Sequence, residues 1–411
     1  APEGGCLGVF CKEVCTLIQL PANAAEKRQQ VLEVIRSDHL KPVADADGPV
    51  FCISKRYAGV WLEHVQDAVV WSRYCGDPTV ALNHIGLFLK HQKPDGQLPM
   101  AVTLQDGPSY GQIQECVAFM RMCLETYEMC GDRAFLQRAY DAGCRWDDWL
   151  CRWRMTTGQG LIEMFCGYDT GHDNSGRLEG MIYPGKVSPE APDARKLPEG
   201  CPVLPGIAPD MNAVFYGDRV ALARMAELLG RPDEAAAWQQ RAEQVRQRLY
   251  AVCFDPEDEF FYDVDKHGQM RRIRTIAITN VLCEGIADRE LANRIFDRYL
   301  WNEREFKTPY PFPAVSIADP RWRRNLSGNS WGYYSQAMTV LRATRWMPGI
   351  GRREELRQVL RIWVERQCAI ETVPFGQELD PISGEPSDAS PWFSAAELLF
   401  LVALQELERE D

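Results

Sequence analysis

The stretch 167–177, GYDTGHDNSGR, concentrates side chains that could carry acid–base chemistry. It holds two aspartates, Asp169 and Asp173, beside His172, one of six histidines in 411 residues. A carboxyl group that burial and a neighbouring negative charge keep protonated near neutral pH can act as a general acid. Polar loops also arise simply because Asp, Asn, Ser and Gly are ordinary turn residues. The stretch therefore marks a candidate acid whose partners must come from other loops.

The neighbours of Asp173 favour it as the acid. Phe165 and Tyr168 could enclose it and Asp169 could repel its charge, and both effects raise the pKa of a carboxyl group. His172 is the alternative acid, or an ordinary hydrogen-bonded loop histidine. One reaction that uses such an acid is the cleavage of a glycosidic bond, which usually requires a second carboxyl group on the opposite face of the sugar. The residues alone leave three candidates for it in the C-terminal loop, namely Glu371, Glu378 and Asp380.

Aromatic and amide side chains recur in the polar segments along the chain. Amides can hydrogen-bond sugar hydroxyls, and the C–H face of a sugar ring packs on an aromatic wall. Each residue alone could be an ordinary core or surface residue, but their recurrence predicts a carbohydrate cavity. The predicted sugar-contacting residues are Trp61, Gln112, Gln114, Tyr168, Asp169, His172, Asn174, Arg177, Asn212, Trp331, Tyr334, Gln336 and Trp392.

Helix signals fill the chain between these segments. In one clear case Asp77 can cap a helix, Pro78 suits its first turn, and Leu82, Ile85 and Leu89 share one face. The same analysis predicts helices near 22–37, 60–75, 78–92, 111–130, 133–153, 210–229, 232–251, 275–286, 289–300, 329–346, 352–368 and 392–409.

The connections between these helices alternate between short and long. Short connections join antiparallel neighbours, and loops longer than about 15 residues are usually functional or disordered. Six helical hairpins stacked in a ring, with the long loops meeting at one end, would account for this alternation. We therefore predict an all-α (α/α)6 toroid with short strands inside the long loops. No change of composition marks a second domain, so 1–411 is predicted as one domain with 1–20 as an N-terminal extension.

The composition of the chain limits the kinds of molecule that it is expected to bind. A net charge of −12 and the lack of a basic run disfavour nucleic acid and anionic membranes. No apolar run is long enough to span a bilayer. The fifteen cysteines are scattered, without CxxC or metal-ligand spacing, which predicts reduced thiols in a cytoplasmic protein. The expected partner is a small carbohydrate, with no metal and no cofactor, and the oligomeric state stays open.

Taken together, the motifs resemble those of the (α/α)6 glycoside hydrolases that include mannosylglycerate hydrolase, trehalase and processing α-glucosidase I. GHDNSGR resembles the element SGMDNSPR, whose first aspartate is the general acid, and this implies that role for Asp173. FGQELDPISGEP is similar to an element in which a glutamate before an Asp/Asn-Pro turn is the general base. That likeness implies Glu378, with Gln377 as the rival for the position. The likeness covers about residues 60–400 and includes the helical hairpin that begins PDMNAVFYGDR.

The first hairpin departs from the family pattern. The Trp-x-Trp-Asp element reads WLEH here, so Trp61 is retained and His64 takes the position of the aspartate. The resemblance implies an inverting hydrolase of a small α-glucoside or α-mannoside, with its two carboxyl groups roughly 6.5–9.5 Å apart. The alternatives are a sugar epimerase that uses histidines, a glycoside phosphorylase, and a sugar-binding protein that has lost its base.

Overall fold

The computed structural model describes residues 20–178, 205–322 and 329–409, and these residues are mainly helical. The first six α-helices are α1 (Ala24–Val34), α2 (Val65–Cys75), α3 (Thr79–Lys90), α4 (Phe119–Cys130), α5 (Arg133–Trp153) and α6 (Pro209–Leu228). The next six are α7 (Pro232–Val252), α8 (Ile278–Cys283), α9 (Arg289–Ile295), α10 (Ala337–Trp346), α11 (Arg353–Ala369) and α12 (Ser394–Glu408). Each of the twelve lies within or overlaps a helix predicted from the sequence.

Three helices begin at least five residues later than predicted. Helix α2 was expected from residue 60, but residues 59–61 pair as a strand with Ala101–Thr103 and a 3-10 turn follows over Leu62–His64. Helix α4 was expected from residue 111 and begins at Phe119, and α10 was expected from 329 and begins at Ala337. In each case residues that were predicted as the first turns of a helix instead form an extended or irregular segment leading into it.

Every second helix belongs to a closed inner ring. Helix α2 packs on α4, α4 on α6, α6 on α8, α8 on α10, α10 on α12, and α12 returns to α2. The other six helices lie outside this ring, each connected to it by a hairpin or by direct packing. The predicted (α/α)6 toroid is therefore confirmed.

The sequences of the two layers explain their positions. In the inner α12 apolar and small residues occupy nearly all faces, and most of the helix is buried. In the outer α7 only one stripe is buried, formed by Ala235, Trp238, Ala242, Val245 and Leu249. A helix that is apolar all round must be buried on all sides, whereas an amphipathic helix covers a core with one face.

The strands are short and lie between the helices. They are β1 (Leu40–Lys41), β2 (Val50–Phe51), β3 (Gly59–Trp61), β4 (Ala101–Thr103), β5 (Gly107–Ser109), β6 (Phe254–Asp255), β7 (Phe260–Phe261), β8 (Asp263–Val264), β9 (Met270–Arg271), β10 (Ser335–Gln336) and β11 (Glu378–Leu379). All pair antiparallel, as β1–β2, β3–β4–β5, β6–β7, β8–β9 and β10–β11.

One hydrophobic cluster includes buried residues from all twelve helices. The single-domain organisation over 1–411 stays a prediction, and the predicted extension 1–20 lies outside the described residues except for Leu20. Among the described residues, no helix combines the length and the apolar character needed to cross a bilayer.

Candidate active site

A cavity of about 480 Å³ lies where segments leading into the inner helices meet. These segments precede α2, α4, α6, α10 and α12, so residues far apart in sequence share one wall. Six of the residues predicted from the sequence line it, namely Trp61, Gln112, Gln114, Tyr168, Asp173 and Trp331. Volumes of about 300–1,000 Å³ are typical of small-molecule sites. The cavity is large enough for a monosaccharide with a small substituent.

Asp173 presents its carboxyl group to this cavity. Burial raises its pKa to about 7, and the nearby charge of Glu63 adds to the rise. The Asn329 side chain opposes it by donating a hydrogen bond to Asp173 Oδ2 at 2.9 Å. A carboxyl group with this pKa is partly protonated at neutral pH and can give a proton to a bound ligand.

The loop that carries Asp173 is fixed on one side by Asp169, which is fully buried. Arg154 donates to its Oδ2 at 2.6 Å, and Phe165 N donates to the same oxygen at 2.8 Å. Asp169 does not line the cavity, because its carboxylate is turned into the protein to hold the backbone. The prediction that Asp169 contacts sugar and raises the pKa of Asp173 is therefore replaced: Glu63 supplies the neighbouring charge.

The other side of the same loop is fixed by Arg177, which is also buried rather than exposed to the cavity. Its Nη2 donates to both carboxylate oxygens of Asp210 at 3.0 Å, and its Nε lies 3.5 Å from Asp263. His172 stacks on Trp331 with ring centroids 4.1 Å apart, and burial lowers its pKa well below the ordinary value. These two predicted sugar contacts instead support the acid's loop and the Trp331 wall.

Asn212 also lies away from the cavity. Its amide pairs with both backbone groups of Ile162, at 2.8 and 2.9 Å, and donates to Ala208 O at 3.0 Å. These bonds tie the first turn of α6 to the strand-like segment before the acid's loop, so Asn212 is a structural residue here.

Three further predicted contacts surround the cavity without lining it. Asn174 is exposed and donates to Asn329 O at 3.0 Å. Tyr334 is buried edge-on against Tyr333, and Trp392 packs on the ring of Phe375. Residues near them in the same segments, Asp173, Trp331 and Phe393, line the cavity.

The predicted base, Glu378, is fully buried and is not part of the cavity lining. Its Oε2 accepts from Ser330 N at 3.1 Å and from the amide of Gln336. Burial raises its pKa, although these hydrogen bonds oppose the rise. Gln336, predicted to bind sugar, is engaged in this contact behind the wall, and its strand partner in register is Glu378 itself.

Gln377, the residue before Glu378, lines the cavity instead. Successive residues of an extended segment point to opposite sides, so only one of the two can face the ligand. The Gln377 backbone is held by Ala337 and Ser390, and its Nε2 donates to Asn329 Oδ1 at 2.9 Å. An amide therefore occupies the cavity position for which the sequence predicted a carboxylate.

A second cavity carboxylate, Glu63, was not predicted. It lies in the 3-10 turn of the WLEH segment, where only Trp61 and His64 had been assigned a role. Its Oε1 lies 3.6 Å from His64 Nε2, and its Oε2 accepts from the Cys116 thiol at 3.6 Å. The signal for Glu63 was its place inside the WLEH motif, between Trp61 and His64, on a segment that enters the cavity.

Several residues in or next to the cavity lining have a strained backbone conformation. Gln114 and Asn329 line the cavity with φ of 49° and 58°, in the left-handed region that non-glycine residues rarely adopt. Asn174, Phe375 and Trp392, which adjoin the lining, share this conformation. Residues held in such conformations cluster at ligand sites, where the surrounding structure fixes them.

A closed double ring of helices with a protonatable carboxyl group in a deep cavity is an arrangement used by glycoside hydrolases. Residues 67–394 match the family described as Mannosylglycerate hydrolase MGH1-like glycoside hydrolase domain. The match covers most of the chain, and the chain belongs to this family of glycoside hydrolases.

Solved structures support the same fold. The mannosylglycerate hydrolase of Thermus thermophilus in complex with Tris is 18% identical, with a TM-score of 0.72 over 91% of this chain and 98% of that one. The neutral trehalase of Saccharomyces cerevisiae is 14% identical, with a TM-score of 0.63 over 92% of this chain and 79% of that one.

An uncharacterized protein of Borreliella burgdorferi is 25% identical over 133 residues, which are 32% of this chain and 27% of that protein's length.

Proposed function

We propose that this protein hydrolyses a small α-linked glycoside, an α-glucoside or α-mannoside, by a single displacement with inversion at the anomeric carbon. The observation that carries the proposal is Asp173, whose carboxyl group faces the cavity with its pKa raised to about 7. In this role Asp173 donates its proton to the glycosidic oxygen as the C1–O bond breaks, while water attacks C1 from the opposite face.

The cavity lining suits a sugar. The side-chain oxygens of Gln114 and Gln377 are buried and have no hydrogen-bond partner among the described residues. Each can accept a hydrogen bond from a sugar hydroxyl, and leaving such a group unpaired is costly. Trp61 and Trp331 offer aromatic surfaces for the ring.

The substrate class is proposed partly by likeness. The Thermus thermophilus mannosylglycerate hydrolase has been solved in complex with glucose, and also with Tris and D-glycerate. Glucose and a short polar aglycone both fit a cavity of about 480 Å³.

The eleven described cysteines are all free thiols, which supports the proposal of a cytoplasmic enzyme.

The base is the open part of this mechanism. The resemblance implies Glu378, which lies behind the wall next to the cavity-lining residues Asn329 and Gln377. Its carboxylate also accepts a hydrogen bond from the Ser387 side chain.

A second function is favoured by one observation. The side chain that the Asn329 bridge joins to Asp173 is the uncharged amide of Gln377, and a sugar-binding protein that has lost its base would have such a group there. Epimerisation has less support, because His64 is the one histidine among the described residues that lines the cavity.

The test is a panel of α-disaccharides, glycosylglycerates and α-glycosyl fluorides followed by proton NMR. Hydrolysis with inversion releases the β-anomer first, and we expect that anomer before mutarotation sets in. Release of the α-anomer, or cleavage that depends on inorganic phosphate, would contradict the proposal. Saturable sugar binding by calorimetry without turnover of any member would favour the binding protein instead.

A further inference from the structure

The cavity contains one carboxylate to which neither the proposed mechanism nor the family resemblance assigns a role. Among the described residues, the acidic side chains that line the cavity are Asp173 and Glu63. Glu378 lies behind the wall, and Gln377 faces the cavity with an amide that cannot accept a proton from water at neutral pH.

We propose that Glu63 is the water-activating base of this cavity, in place of a carboxylate at position 377. The inference rests on the proposed function, because it assigns a second residue to the same hydrolysis. Glu63 is neither exposed to bulk solvent nor sealed off, with 18% of its side chain accessible. A carboxylate in that setting can hold a water molecule against a bound sugar.

The surroundings of Glu63 position its carboxylate. Gly171 approaches so closely that a Cβ atom built on it would stand 2.4 Å from Glu63 Oε2. On the other side His64 presents Nε2 to Glu63 Oε1 at 3.6 Å. Both neighbours are part of the cavity lining, and the carboxylate lies between them.

His64 is itself oriented by a buried chain of hydrogen bonds. Its Nδ1 lies 2.8 Å from Asp67 Oδ2, and Ser394 Oγ donates to the same oxygen at 2.5 Å. This arrangement turns His64 Nε2 towards Glu63 Oε1. His64 is a positioning residue in this scheme, since it acts through Glu63.

Asp173 transfers its proton to the glycosidic oxygen, and the C1–O bond breaks with its electron pair going to the leaving alcohol. A water molecule forms the new bond to C1 and loses a proton to the Glu63 carboxylate. The products are the free alcohol and the sugar of inverted anomeric configuration, and proton exchange with solvent restores both carboxyl groups.

Three variants separate the roles of acid and base, namely Glu63→Gln, Glu378→Gln and Asp173→Asn. Each is tested on an aryl α-glycoside and on the matching α-glycosyl fluoride. Fluoride leaves with little protonation, so loss of the acid is tolerated there and loss of the base is not. We expect Glu63→Gln to lose at least ~100-fold in kcat on both substrates, whereas Glu290→Gln, whose side chain is exposed on α9, should stay within about threefold of wild type. A loss confined to Glu378→Gln would assign the base to Glu378. Asp173→Asn should fail on the aryl glycoside and retain most of its turnover of the fluoride.

Azide gives a readout that a structural role would not move. In Glu63→Ala, sodium azide can enter the vacated space, attack C1 and yield the β-glycosyl azide. We expect that product from the α-glycosyl fluoride with this variant, and none with Glu378→Ala.

Full turnover in Glu63→Gln, or azide rescue confined to the Glu378 variant, would overturn the assignment and leave the proposed hydrolysis standing. A wild-type protein that binds sugar and cleaves neither substrate would overturn both. Unfolding temperatures and calorimetric sugar binding of each variant identify any loss that comes from misfolding, and a folded Glu63→Gln that binds sugar without turning it over supports the assignment.

Discussion

Asp173 and Gln377 are joined by one side chain, because the Asn329 amide donates to the Asp173 carboxylate and accepts from the Gln377 amide, each at 2.9 Å. Two hydrogen bonds in series across one amide group span at most roughly 8 Å. This upper limit overlaps the roughly 6.5–9.5 Å expected between the two carboxyl groups of an inverting hydrolase. The group at position 377 is an amide and not a carboxylate, which is why the base must be sought elsewhere.

Asp173→Asn should remove the alkaline limb of the pH–rate profile. The acid must be protonated, and its pKa of about 7 predicts that kcat/KM on an aryl glycoside falls as the pH rises through that value. The asparagine variant should lose roughly 100-fold to 10,000-fold in rate, and its residual rate should no longer fall above pH 7. Rate measurements from pH 4 to 9 check this, and an unchanged alkaline limb would assign the acid to another residue.

The same substitution should stabilise the fold at high pH. The pKa of Asp173 is raised in the folded state, so the folded protein binds more protons than the unfolded chain between about pH 4 and 7, and stability is lost as the pH rises through this window. Asp173→Asn removes that loss, by up to about 1.4 kcal/mol per pH unit within the window. Urea unfolding at pH 4 and pH 8 should show a gain at pH 8 and little at pH 4. An equal effect at both values would argue against the raised pKa.

Gln377→Glu should raise the pKa of Asp173 further. A carboxylate within roughly 8 Å disfavours ionisation of the acid, and the alkaline limb should move up by about one pH unit. Carbon-13 NMR titration of the Asp173 carboxyl group measures the shift whether or not substrate is turned over. Gln247→Glu adds the same charge on the exposed face of α7 and should leave the Asp173 titration unchanged. A shift of equal size in both variants would exclude a local effect.

Gly171→Ala should impair the site far more than a matched glycine change. Both Gly171 and Gly158 have positive φ, at 68° and 76°, so both alanine variants carry the same backbone strain of about 1 kcal/mol. A Cβ at Gly158 meets nothing within 4 Å, whereas at Gly171 it would meet Glu63 Oε2 at 2.4 Å and Cys116 Sγ at 2.7 Å. We expect Gly171→Ala to lose at least ~10-fold in kcat and Gly158→Ala to keep it. Equal activities would mean that the carboxylate of Glu63 is free to move.

Arg154→Met should destabilise the fold by roughly 3–5 kcal/mol, because it leaves the fully buried Asp169 carboxylate without its cation. Arg361→Met breaks an exposed pair with Glu365 and should cost less than about 1 kcal/mol. Chemical denaturation of both variants measures the difference. Similar losses would show that the Arg154–Asp169 pair does not hold the acid's loop.

The fold could be predicted from the sequence because helix periodicity and caps are local. The stripe of Trp238, Ala242, Val245 and Leu249 predicts an outer helix from a single stretch of chain. The late starts of α2 and α10 depend on distant segments and could not be predicted so easily. Residues 59–61 become a strand only when Ala101–Thr103 lies beside them, and residues 335–336 pair with residues 378–379. Short strands depend on a partner from another segment, and nothing in their own residues specifies it.

The candidate site was predictable to a similar depth. The cavity position of Asp173 follows from a motif contained in one loop. The choice between Gln377 and Glu378 depends on a pairing register, Gln336 with Glu378, and a shift by one residue exchanges the side chains that face the cavity. Asp169, Arg177 and Asn212 are polar loop or helix-start residues by sequence, and only the fold reveals that their hydrogen bonds are made to the scaffold. For that reason none of the three is part of the cavity lining.

The seam where α12 packs on α2 has a consequence for biosynthesis. The two helices are separated by more than three hundred residues of chain, so the ring cannot close until α12 has left the ribosome. Contacts between distant segments slow folding, and incomplete chains expose apolar surface that promotes aggregation. Nascent chains stalled before residue 394 should therefore leave the inner face of α2 uncovered and depend on chaperones.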